Sequence, residues 1–272
     1  MPEGHTIHRI ARAHREILGG QAVAVSSPQG RFTDGAARLD GQRLDDVEAY
    51  GKHLLYRWAG GEVLHVHLGL VGMFRTFAAG EAPPPTGAAR LAMSANGAAV
   101  YLSGPMICEL LDPESEERIL ARLGPDPLRD GLDAGLRFQQ ALARRSIPIG
   151  AALLDQRAVA GIGNVYRAET LFLRGIHPDR PARSLSDGEA ARLWETIVGQ
   201  LRQGLRLGRI VTVDPAEVGA ARPEDLIDAD DDRLYVYRRA GLPCRRCGAE
   251  LRAWTLGART ITACEVCQPR HP

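Results

Sequence analysis

The sequence predicts an α+β protein with an antiparallel β-sandwich and a leading helix at its N-terminal end, a helical middle part and a cysteine-rich C-terminal module. Three observations support this prediction. Apolar residues alternate with period two in several segments before residue 112, the period becomes helical between residues 133 and 207, and four of the five cysteines lie in the last thirty residues. The 272 residues are enough for one or two domains with a substantial core.

The N-terminal part begins with a helix and continues as hairpins. Apolar residues at helical spacing predict a helix over residues 5–18, which Gly19-Gly20 ends. The segments HLLYRW and EVLHVHLG, joined by the turn AGG, predict one hairpin. The segments ARLAMSA and AAVYLS predict another, because the Asn96-Gly97 dipeptide between them suits a two-residue turn. Residues 1–112 are therefore expected to form a small sandwich or flattened barrel.

The middle of the chain has helical periodicity. The segments LRFQQALARR, IGAALLDQ, VYRAETLFLRGI and EAARLWETIVGQLRQGLRLG predict four helices. LGPDPL at residues 123–128 has the proline and glycine content of an interdomain linker, and the acidic residues 214–232 predict a solvated, mobile connector or an ordinary polar loop. We expect three domains: a β-sandwich over 1–122, a helical domain with the acidic connector over 123–232, and a cysteine module over 233–272.

Charge is distributed unevenly along a chain whose net charge is only +1. Residues 214–232 carry eight acidic residues against one arginine, whereas residues 233–272 carry eight arginines against two acidic residues. The C-terminal module is therefore basic, although the whole chain is not a uniformly basic nucleic-acid binder. No apolar run reaches the ~18 residues of a membrane helix, and the N-terminus MPEGHTIHRI lacks the apolar stretch of a secretion signal, so we expect a cytoplasmic protein.

Two close cysteine pairs near the C-terminus indicate a metal site. Cys244 and Cys247 form one CxxC pair, and Cys264 and Cys267 form a second after sixteen intervening residues. Two such pairs on opposite strands supply four thiolates in tetrahedral geometry, which suits one structural Zn²⁺. The alternative, a dithiol redox pair, needs only one CxxC beside a helix. Arg259 lies near the tip of the predicted hairpin between the pairs, although a lone arginine is by itself more often a surface charge.

The segment GIGN at residues 161–164 precedes a predicted helix. Gly161 and Gly163 allow the backbone to approach a ligand closely, and Asn164 is expected to cap the helix and direct its N–H groups toward a phosphate. A plain turn between two helices is the alternative. The basic module and the thirteen arginines between residues 129 and 209 favour phosphate binding. Together these elements indicate a DNA-binding surface.

Two amines stand out in a chain that otherwise uses arginine for its cations. Removal of Met1 exposes the secondary amine of Pro2, which forms an iminium with an aldehyde and which the positive end of the predicted helix keeps unprotonated. Glu3 is adjacent and can act as an acid or a base, although Met-Pro-Glu is also a common entry into a helix. Lys52 is the single lysine among 34 cationic residues, which indicates a function that a guanidinium cannot perform, or survival by chance.

Three other residues carry possible chemistry. His65 and His67 form an H-x-H pair on one face of a predicted strand, about 7 Å apart. The sequence shows no third ligand, so we expect them to line the DNA-facing side of the sheet or to pair with polar neighbours. Cys108 lies among apolar residues and is expected to be a small core residue.

These motifs together resemble those of the formamidopyrimidine-DNA glycosylase/endonuclease VIII family of base-excision repair enzymes. The matching segments are MPEG at 1–4, GKH at 51–53, HLGL at 67–70, RLGPD at 122–126, LDQ at 154–156, GIGN at 161–164 and the four-cysteine finger. The resemblance covers nearly the whole chain. It implies an N-terminal β-sandwich, a helix-two-turn-helix domain and a zinc finger, which together bind damaged DNA.

The resemblance also implies catalytic roles for individual residues. Pro2 matches the Schiff-base nucleophile that attacks the sugar C1′, and Glu3 matches the general acid/base that assists ring opening and base release. Lys52 matches the lysine that helps to protonate and position the sugar and phosphate. Arg259 matches the finger arginine that binds the phosphate next to the lesion and supports δ-elimination.

Three further residues match DNA contacts of the family. Asn164 and Arg122 match residues that hold the DNA, and Leu70 occupies the position of an apolar wedge that enters the gap left by a flipped base. SGPM at 103–106 stands where the oxidised-purine branch has Arg-Arg-Phe, which favours the endonuclease VIII branch. His5-Thr6 stands where many members have a further acidic residue, whose role therefore does not transfer to this chain.

The sequence thus predicts a bifunctional DNA glycosylase/AP lyase that excises oxidised bases, chiefly pyrimidines, and cleaves the strand by β,δ-elimination. An oxidised-purine glycosylase and a non-catalytic, zinc-dependent DNA-binding protein are the alternatives. We expect one structural Zn²⁺, no small-molecule cofactor, damaged DNA as the partner and no membrane. We further expect a monomer that associates with the nucleoid through DNA binding.

Overall fold

The computed structural model describes residues 2–129, 131–229 and 232–270. The chain divides into two compact units, one ending at Ala121 and the other beginning at Arg122. The α+β class predicted from the sequence is confirmed, since the first unit is dominated by antiparallel strands and the second by helices. No helix in the described part of the chain is both long enough and apolar enough to cross a membrane.

The first unit consists of three helices and two antiparallel sheets. The helices are α1 (Gly4–Leu18), α2 (Thr33–Leu39) and α3 (Pro113–Ala121). The strands are β1 (Ala24–Ser26), β2 (Leu44–Tyr50), β3 (His53–Trp58), β4 (Val63–His67), β5 (Met73–Phe77), β6 (Ala89–Ala95), β7 (Ala98–Ser103) and β8 (Ile107–Leu111). One sheet has the order β1-β6-β7-β5 and the other the order β2-β3-β4-β8.

The alternation seen in the sequence determines which faces of the sheets are buried. Leu54 and Tyr56 of β3 and Val66 of β4 lie in one continuous core with Val100 and Leu102 of β7. One face of helix α1 packs into this core through Ile7, Ala11 and Leu18. The other face of the second sheet carries polar side chains such as His53 and His65 together with apolar ones such as Leu55, because residues at alternate positions of a strand point in opposite directions.

The two predicted hairpins are confirmed, and their turns have the expected backbone. Asn96 and Gly97 join β6 to β7 with φ of 49° and 80°, the left-handed values that a tight two-residue turn requires. The prediction of a single leading helix is incomplete, because α2 and α3 also form. Both are short, at seven and nine residues, and therefore leave little periodic signal in the sequence.

In its described residues, the second unit contains four α-helices and a C-terminal hairpin. The helices are α4 (Ala134–Ala143), α5 (Ile149–Ala152), α6 (Asn164–Leu173) and α7 (Asp187–Leu207), and the hairpin strands are β9 (Arg252–Leu256) and β10 (Arg259–Ala263). Apolar side chains of α4, α6 and α7 share one core, which includes Phe138, Phe172 and Leu193. Helix α7 begins with a reciprocal capping box between Ser186 and Glu189 and ends at Gly208.

Two segments differ from their sequence-based description. Residues 123–127 are buried, and the N–H of Gly124 donates to the Gln156 carbonyl at 2.8 Å, so the expected linker is instead a packed part of the second unit. The acidic connector forms 3-10 helices over Pro215–Val218 and Pro223–Leu226, with Leu226 buried, so these two segments are regular structure rather than a mobile connector. Asp230 and Asp231 lie outside the described residues.

Candidate functional site

Pro2 and Glu3 lie at the entrance of helix α1. Glu3 is fully buried and has extended backbone geometry as the N-cap residue, and its carbonyl accepts from the Thr6 N–H at 2.9 Å. Pro2 is half-buried and lines a cavity of about 270 Å³ together with Arg9, His14 and Phe74. The structure therefore places the predicted nucleophile in a cavity and the predicted acid/base beside it.

Two histidines close to this cavity are held in their uncharged form. His14 Nδ1 lies 2.7 Å from the Tyr56 hydroxyl, and burial lowers the pKa of His14 to about 4. Burial, followed by the charges of Arg9 and the chain terminus, lowers the pKa of His5 to about 3. Near neutral pH, these imidazoles add no positive charge around the Pro2 amine.

Lys52 lies at the tip of the hairpin that joins β2 to β3. Tyr50 pairs with His53, which leaves only Gly51 and Lys52 in the turn. Gly51 has φ of 56°, a left-handed conformation that a side chain would strain, so this glycine is needed to hold Lys52 at the tip. The Lys52 charge contributes to lowering the pKa values of His53 and His67, after the larger effect of burial, so the three side chains are neighbours.

Leu70 lies in a tight turn after β4, in which the Gly72 N–H donates to the Leu68 carbonyl at 3.0 Å. Its side chain is 60% exposed, and Val71 and Met106 are exposed as well. Gly69 has φ of 67°, and a Cβ added there would lie 2.9 Å from Met106 Cβ. The result is an exposed apolar tip on the first unit, of which Leu70 is a part.

The predicted capping role of Asn164 is wrong, because the N-cap residue of α6 is Gly163 and Asn164 is the first residue of the helix. The Asn164 side chain instead donates through Nδ2 to the Thr260 carbonyl of β10 at 3.0 Å. Gln156 fixes the preceding turn, since its Oε1 accepts from the Gly161 N–H and its Nε2 donates to the Ile162 carbonyl, both at 3.0 Å. Asn164 is therefore positioned against the finger hairpin.

Arg122 is exposed at the start of the second unit. The segment that follows it is bonded to the same turn, because Gly124 N–H donates to the Gln156 carbonyl and Ala160 N–H donates to the Pro125 carbonyl at 3.0 Å. The predicted DNA contacts Arg122 and Asn164 thus flank one hydrogen-bonded loop, residues 154–164.

The four cysteines lie together, although not on the strands as the sequence suggested. Cys244 and Cys247 lie in a turn before β9, and Cys264 and Cys267 lie in a turn after β10. All four Sγ atoms are within 4.8 Å of one another, with Cys244 and Cys267 at 3.9 Å and Cys247 and Cys264 at 3.4 Å. Four thiolates around a tetrahedral zinc at 2.3 Å are about 3.8 Å apart, so the residues fit a metal ion.

Arg259 is exposed at the first position of β10, next to the turn formed by Gly257 and Ala258. Both turn residues have positive φ, 62° and 58°, which produces a tight reversal. The structure therefore confirms the predicted place of Arg259 near the hairpin tip. Its backbone carbonyl accepts a hydrogen bond from Arg167 of helix α6.

Arg167 of α6 is a site residue that the sequence did not reveal. Its side chain is fully buried, and its guanidinium donates to four backbone carbonyls, those of Gly150 and Leu256 at 3.0 Å, Arg259 at 3.2 Å and Thr260 at 3.3 Å. Because the fork of a guanidinium is rigid, this contact fixes the hairpin tip relative to α6. In the sequence, an arginine in a helix is typical of an exposed face, so no pattern distinguished it.

Glu169 of the same helix holds the segment that leads to the finger. Its buried carboxylate accepts from the N–H groups of Tyr235, Val236 and Tyr237 at 2.8, 2.9 and 2.7 Å, and from the Thr212 hydroxyl. Helix α6 therefore anchors the start and the hairpin tip of the C-terminal module with charged side chains two residues apart.

The H-x-H pair does not form a metal site. Among the described residues, the four cysteines are the only cluster of His, Cys, Asp and Glu arranged to hold an ion. His65 instead pairs with His53 and Glu109, which agrees with the predicted polar neighbours. Cys108 packs against the core of the first unit as predicted, and burial raises the pKa of its thiol to about 12.

A mainly antiparallel first unit, a helical second unit and a four-cysteine finger together define a helix-two-turn-helix DNA glycosylase. The formamidopyrimidine-DNA glycosylase N-terminal domain matches residues 1–105, and the formamidopyrimidine-DNA glycosylase H2TH domain matches residues 123–215. The chain therefore belongs to the formamidopyrimidine-DNA glycosylase/endonuclease VIII family. Enzymes of this family are DNA glycosylases with AP lyase activity, which confirms the enzyme class predicted from the sequence.

Relatives and solved structures match along the whole chain. A protein of Mycobacterium tuberculosis named Endonuclease 8 1 is 45% identical over 271 residues, covering 98% of this chain and 100% of the relative. The MutM (Fpg) protein of Thermus thermophilus has a crystal structure with a TM-score of 0.78, 32% identity and full coverage of both chains. A variant of the Lactococcus lactis Fpg, in complex with a Fapy-dG containing DNA, has a TM-score of 0.80 at 25% identity and covers 99% of this chain and 100% of its own.

We expect Arg167→Met to loosen the finger hairpin without removing any predicted contact to DNA. Methionine fills much of the volume but leaves four carbonyls without their charged donor, so unfolding should become easier by at least about 2 kcal/mol. Urea unfolding followed by circular dichroism measures this change. Arg167→Lys keeps the charge and loses the fork, so its stability should lie between those of the parent and Arg167→Met. Equal stability of all three proteins would contradict the anchoring role.

Proposed function

We propose that the protein excises oxidised bases, chiefly pyrimidines, through a Schiff base on Pro2 and cleaves the DNA strand by β,δ-elimination. The observation that carries this proposal is the position of Pro2. Its nitrogen, which becomes a secondary amine once Met1 is removed, stands at the start of α1, and the residue lines a cavity and adjoins a buried glutamate. A non-catalytic DNA-binding protein, the alternative from the sequence, needs none of these features.

The proposed chemistry begins at the Pro2 nitrogen. Its lone pair forms a bond to C1′ while the bond from C1′ to the base breaks, and the base leaves with a proton. The nitrogen loses its proton, O4′ is protonated, and the C1′–O4′ bond breaks as the nitrogen lone pair forms the iminium. The iminium acidifies the C2′ proton, whose loss expels the 3′ phosphate. Loss of the C4′ proton then expels the 5′ phosphate, and water hydrolyses the remaining conjugated iminium to release the enzyme.

Glu3 and Lys52 are proposed to move and hold protons and phosphates in these steps. Glu3 is fully buried directly beside Pro2, which is the position of a group that moves a proton when the sugar ring opens. Lys52 supplies an ammonium at a fixed hairpin tip, next to His53 and His67, whose pKa values are lowered chiefly by burial. An ammonium is well suited to a phosphate or to an oxygen that gains negative charge.

Arg259, Asn164 and Arg122 are proposed to bind the DNA backbone from the second unit. Arg259 is exposed on a hairpin whose tip is fixed by Arg167, so its guanidinium is presented from a rigid support. Asn164 is bonded to the residue after Arg259, which places both on one surface. A rigid, bidentate donor is the residue type that best recognises a phosphate.

Leu70 is proposed to enter the space vacated by the flipped base. It is exposed on the apolar tip with Val71 and Met106, which is unusual for a surface in water and typical of a surface that meets a partner. An apolar side chain inserted into the base stack offsets part of the cost of unstacking.

The lesion class is proposed from the loop between β7 and β8. That loop is the short segment Ser103-Gly104-Pro105-Met106, without the Arg-Arg-Phe of the oxidised-purine branch. The relative at 45% identity bears the name of an endonuclease 8, whereas the Thermus structure at 32% is an Fpg. Excision of an oxidised-purine lesion in preference to a ring-saturated pyrimidine from matched duplexes would favour the alternative.

The metal at the four cysteines is proposed to be a single Zn²⁺ with a structural role. Four thiolates leave no open coordination position, and the Cys267 N–H points at Cys264 Sγ at 3.4 Å, as is typical of the support around a bound metal. Gln268 ties the second pair to the helical domain, because its Nε2 donates to the Ile176 carbonyl at 2.8 Å. The metal would therefore stabilise the finger that carries Arg259.

The Schiff base is tested by borohydride trapping on DNA with an abasic site. The parent is expected to form a covalent adduct, and Pro2→Gly, which replaces the secondary amine by a primary one, is expected to lose most of it. Denaturing gels measure the adduct, and binding to a non-reactive abasic analogue checks that the variant still recognises DNA. Undiminished trapping by Pro2→Gly would place the nucleophile elsewhere, first of all at Lys52.

The proposed role of Arg259 is tested against a second arginine of the same hairpin. Arg259→Lys keeps the charge and loses the fork, so DNA binding should weaken by roughly 1–3 kcal/mol and δ-elimination should slow more than base release. Arg252, exposed and 3.5 Å from Glu250, is the control, and Arg252→Lys should change little. The proposal is wrong if both variants give the same ratio of β- to δ-elimination ends.

The zinc proposal is tested by metal analysis and by chelation. Protein prepared without chelator should contain one zinc per chain, and a strong chelator should abolish DNA binding while the first unit keeps its β-sheet circular dichroism. Binding that survives complete removal of the metal would show that the finger does not depend on it.

A further inference from the structure

Four polar side chains lie next to one another on the face of the second sheet that points away from the core. In the strand register, His53 of β3 is opposite His67 of β4, and His65 of β4 is opposite Glu109 of β8. Residues directly opposite in antiparallel strands share a face, so these four groups form one cluster across three strands, with His53 and His67 in one row and His65 and Glu109 in the adjacent row. His65 is fully buried, while the Glu109 side chain is 50% exposed.

Hydrogen bonds connect three members of this cluster, Glu109, His65 and His53, into a chain. His65 Nδ1 lies 3.1 Å from Glu109 Oε1, and His65 Nε2 lies 2.8 Å from His53 Nδ1. An ionised carboxylate only accepts, so the proton of a neutral His65 must be on Nδ1. Its Nε2 is then an acceptor, which requires His53 to carry its own proton on Nδ1. One exposed carboxylate therefore determines the tautomer of two histidines.

The chain ends beside His67 and Lys52. The His53 and His67 rings meet edge to face with centroids 5.0 Å apart, and the Lys52 charge acts on both rings. The His67 ring has a separate constraint, because its Nδ1 accepts from the Gly69 N–H at 3.1 Å. A neutral His67 then carries its proton on Nε2 and offers it as a donor next to the ammonium.

We infer that Glu109, His65 and His53 are positioning residues, which hold an uncharged His53 ring in one tautomer against His67 and so orient the donor pair Lys52 and His67 toward a DNA phosphate. This inference rests on the proposed function for the phosphate, but the hydrogen-bonded chain itself exists without DNA.

The charge states of the histidines in this cluster agree with this positioning role. Burial lowers the pKa of His53 to about 3, and it lowers the pKa values of His65 and His67 as well. On His65, the Glu109 carboxylate opposes the effect of burial. The same face also carries Tyr50 and Arg57, and Arg57 is paired with Glu48 and Glu116. Protonation of His65 would set two N–H groups against each other and break its bond to His53, so the chain requires neutral rings.

The tautomers can be measured directly on the protein without DNA. In ¹⁵N-labelled protein at pH 8, two-bond proton–nitrogen spectra should show His53 and His65 protonated at Nδ1 and His67 protonated at Nε2. An Nε2 proton on His53, or a titration of His53 near its ordinary pKa of about 6.5, would overturn the inference.

Glu109→Gln is the decisive variant, because it keeps the shape and the ability to form a hydrogen bond but can either donate or accept. It should leave the unfolding midpoint unchanged while His65 and His53 populate both tautomers. If the competent tautomer falls to between half and a fifth of the molecules, affinity for a duplex with a non-reactive abasic analogue falls about two- to fivefold. Glu114→Gln, an exposed glutamate paired with Arg118, is the matched control and should alter neither property.

The outcomes separate the two proposals. Glu109→Gln with parental tautomers, or with mixed tautomers but the affinity of the control, would overturn the positioning role. A parent protein that forms no borohydride adduct would contradict the proposed function, whereas the tautomers would still test the chain.

Discussion

The C-terminal half of the molecule depends on one buried guanidinium. Arg167 donates to carbonyls of Gly150, Leu256, Arg259 and Thr260, and thereby joins helix α5, helix α6 and both strands of the finger hairpin at a single point. A charge buried in this way costs free energy unless its hydrogen bonds are satisfied, so the surrounding backbone has little freedom to rearrange. The position of Arg259 follows from this contact.

In the first unit, backbone geometry holds the candidate site residues in position, and the neighbouring histidines are uncharged. Gly51 holds Lys52 at a hairpin tip, and the N-terminal turn of α1 holds Pro2 and Glu3. Around these groups, burial lowers the pKa values of His5 and His14 near Pro2 and of His53 and His67 near Lys52, which favours their uncharged forms. Preorganisation of this kind lets an active site act on charge that develops during a reaction without first reorganising itself.

Much of the fold could be predicted from the sequence because its signals are local. Period-two segments and Asn96-Gly97 identified the hairpins, and the CxxC spacing identified the four ligands. The features that were missed depend on tertiary contacts. Arg167 and Glu169 are charged residues in a helix, and only the packed fold shows that they are buried. Asn164 precedes a helix and has the residue type of a cap, but the chain enters the helix one residue earlier, at Gly163. The role of His53 could not be predicted from the sequence, because it depends on the strand register that places His53 beside His65 and His67.

The use of arginine in place of lysine has a chemical consequence for an enzyme whose proposed products are reactive aldehydes. A guanidinium stays protonated at any physiological pH and does not condense with a sugar aldehyde, whereas a side-chain amine does. With 33 arginines and one lysine, the chain offers such an aldehyde a single side-chain amine, at the Gly51-Lys52 turn, besides its own N-terminus. The protein surface therefore offers few amines to the unsaturated sugar aldehyde that the proposed reaction releases.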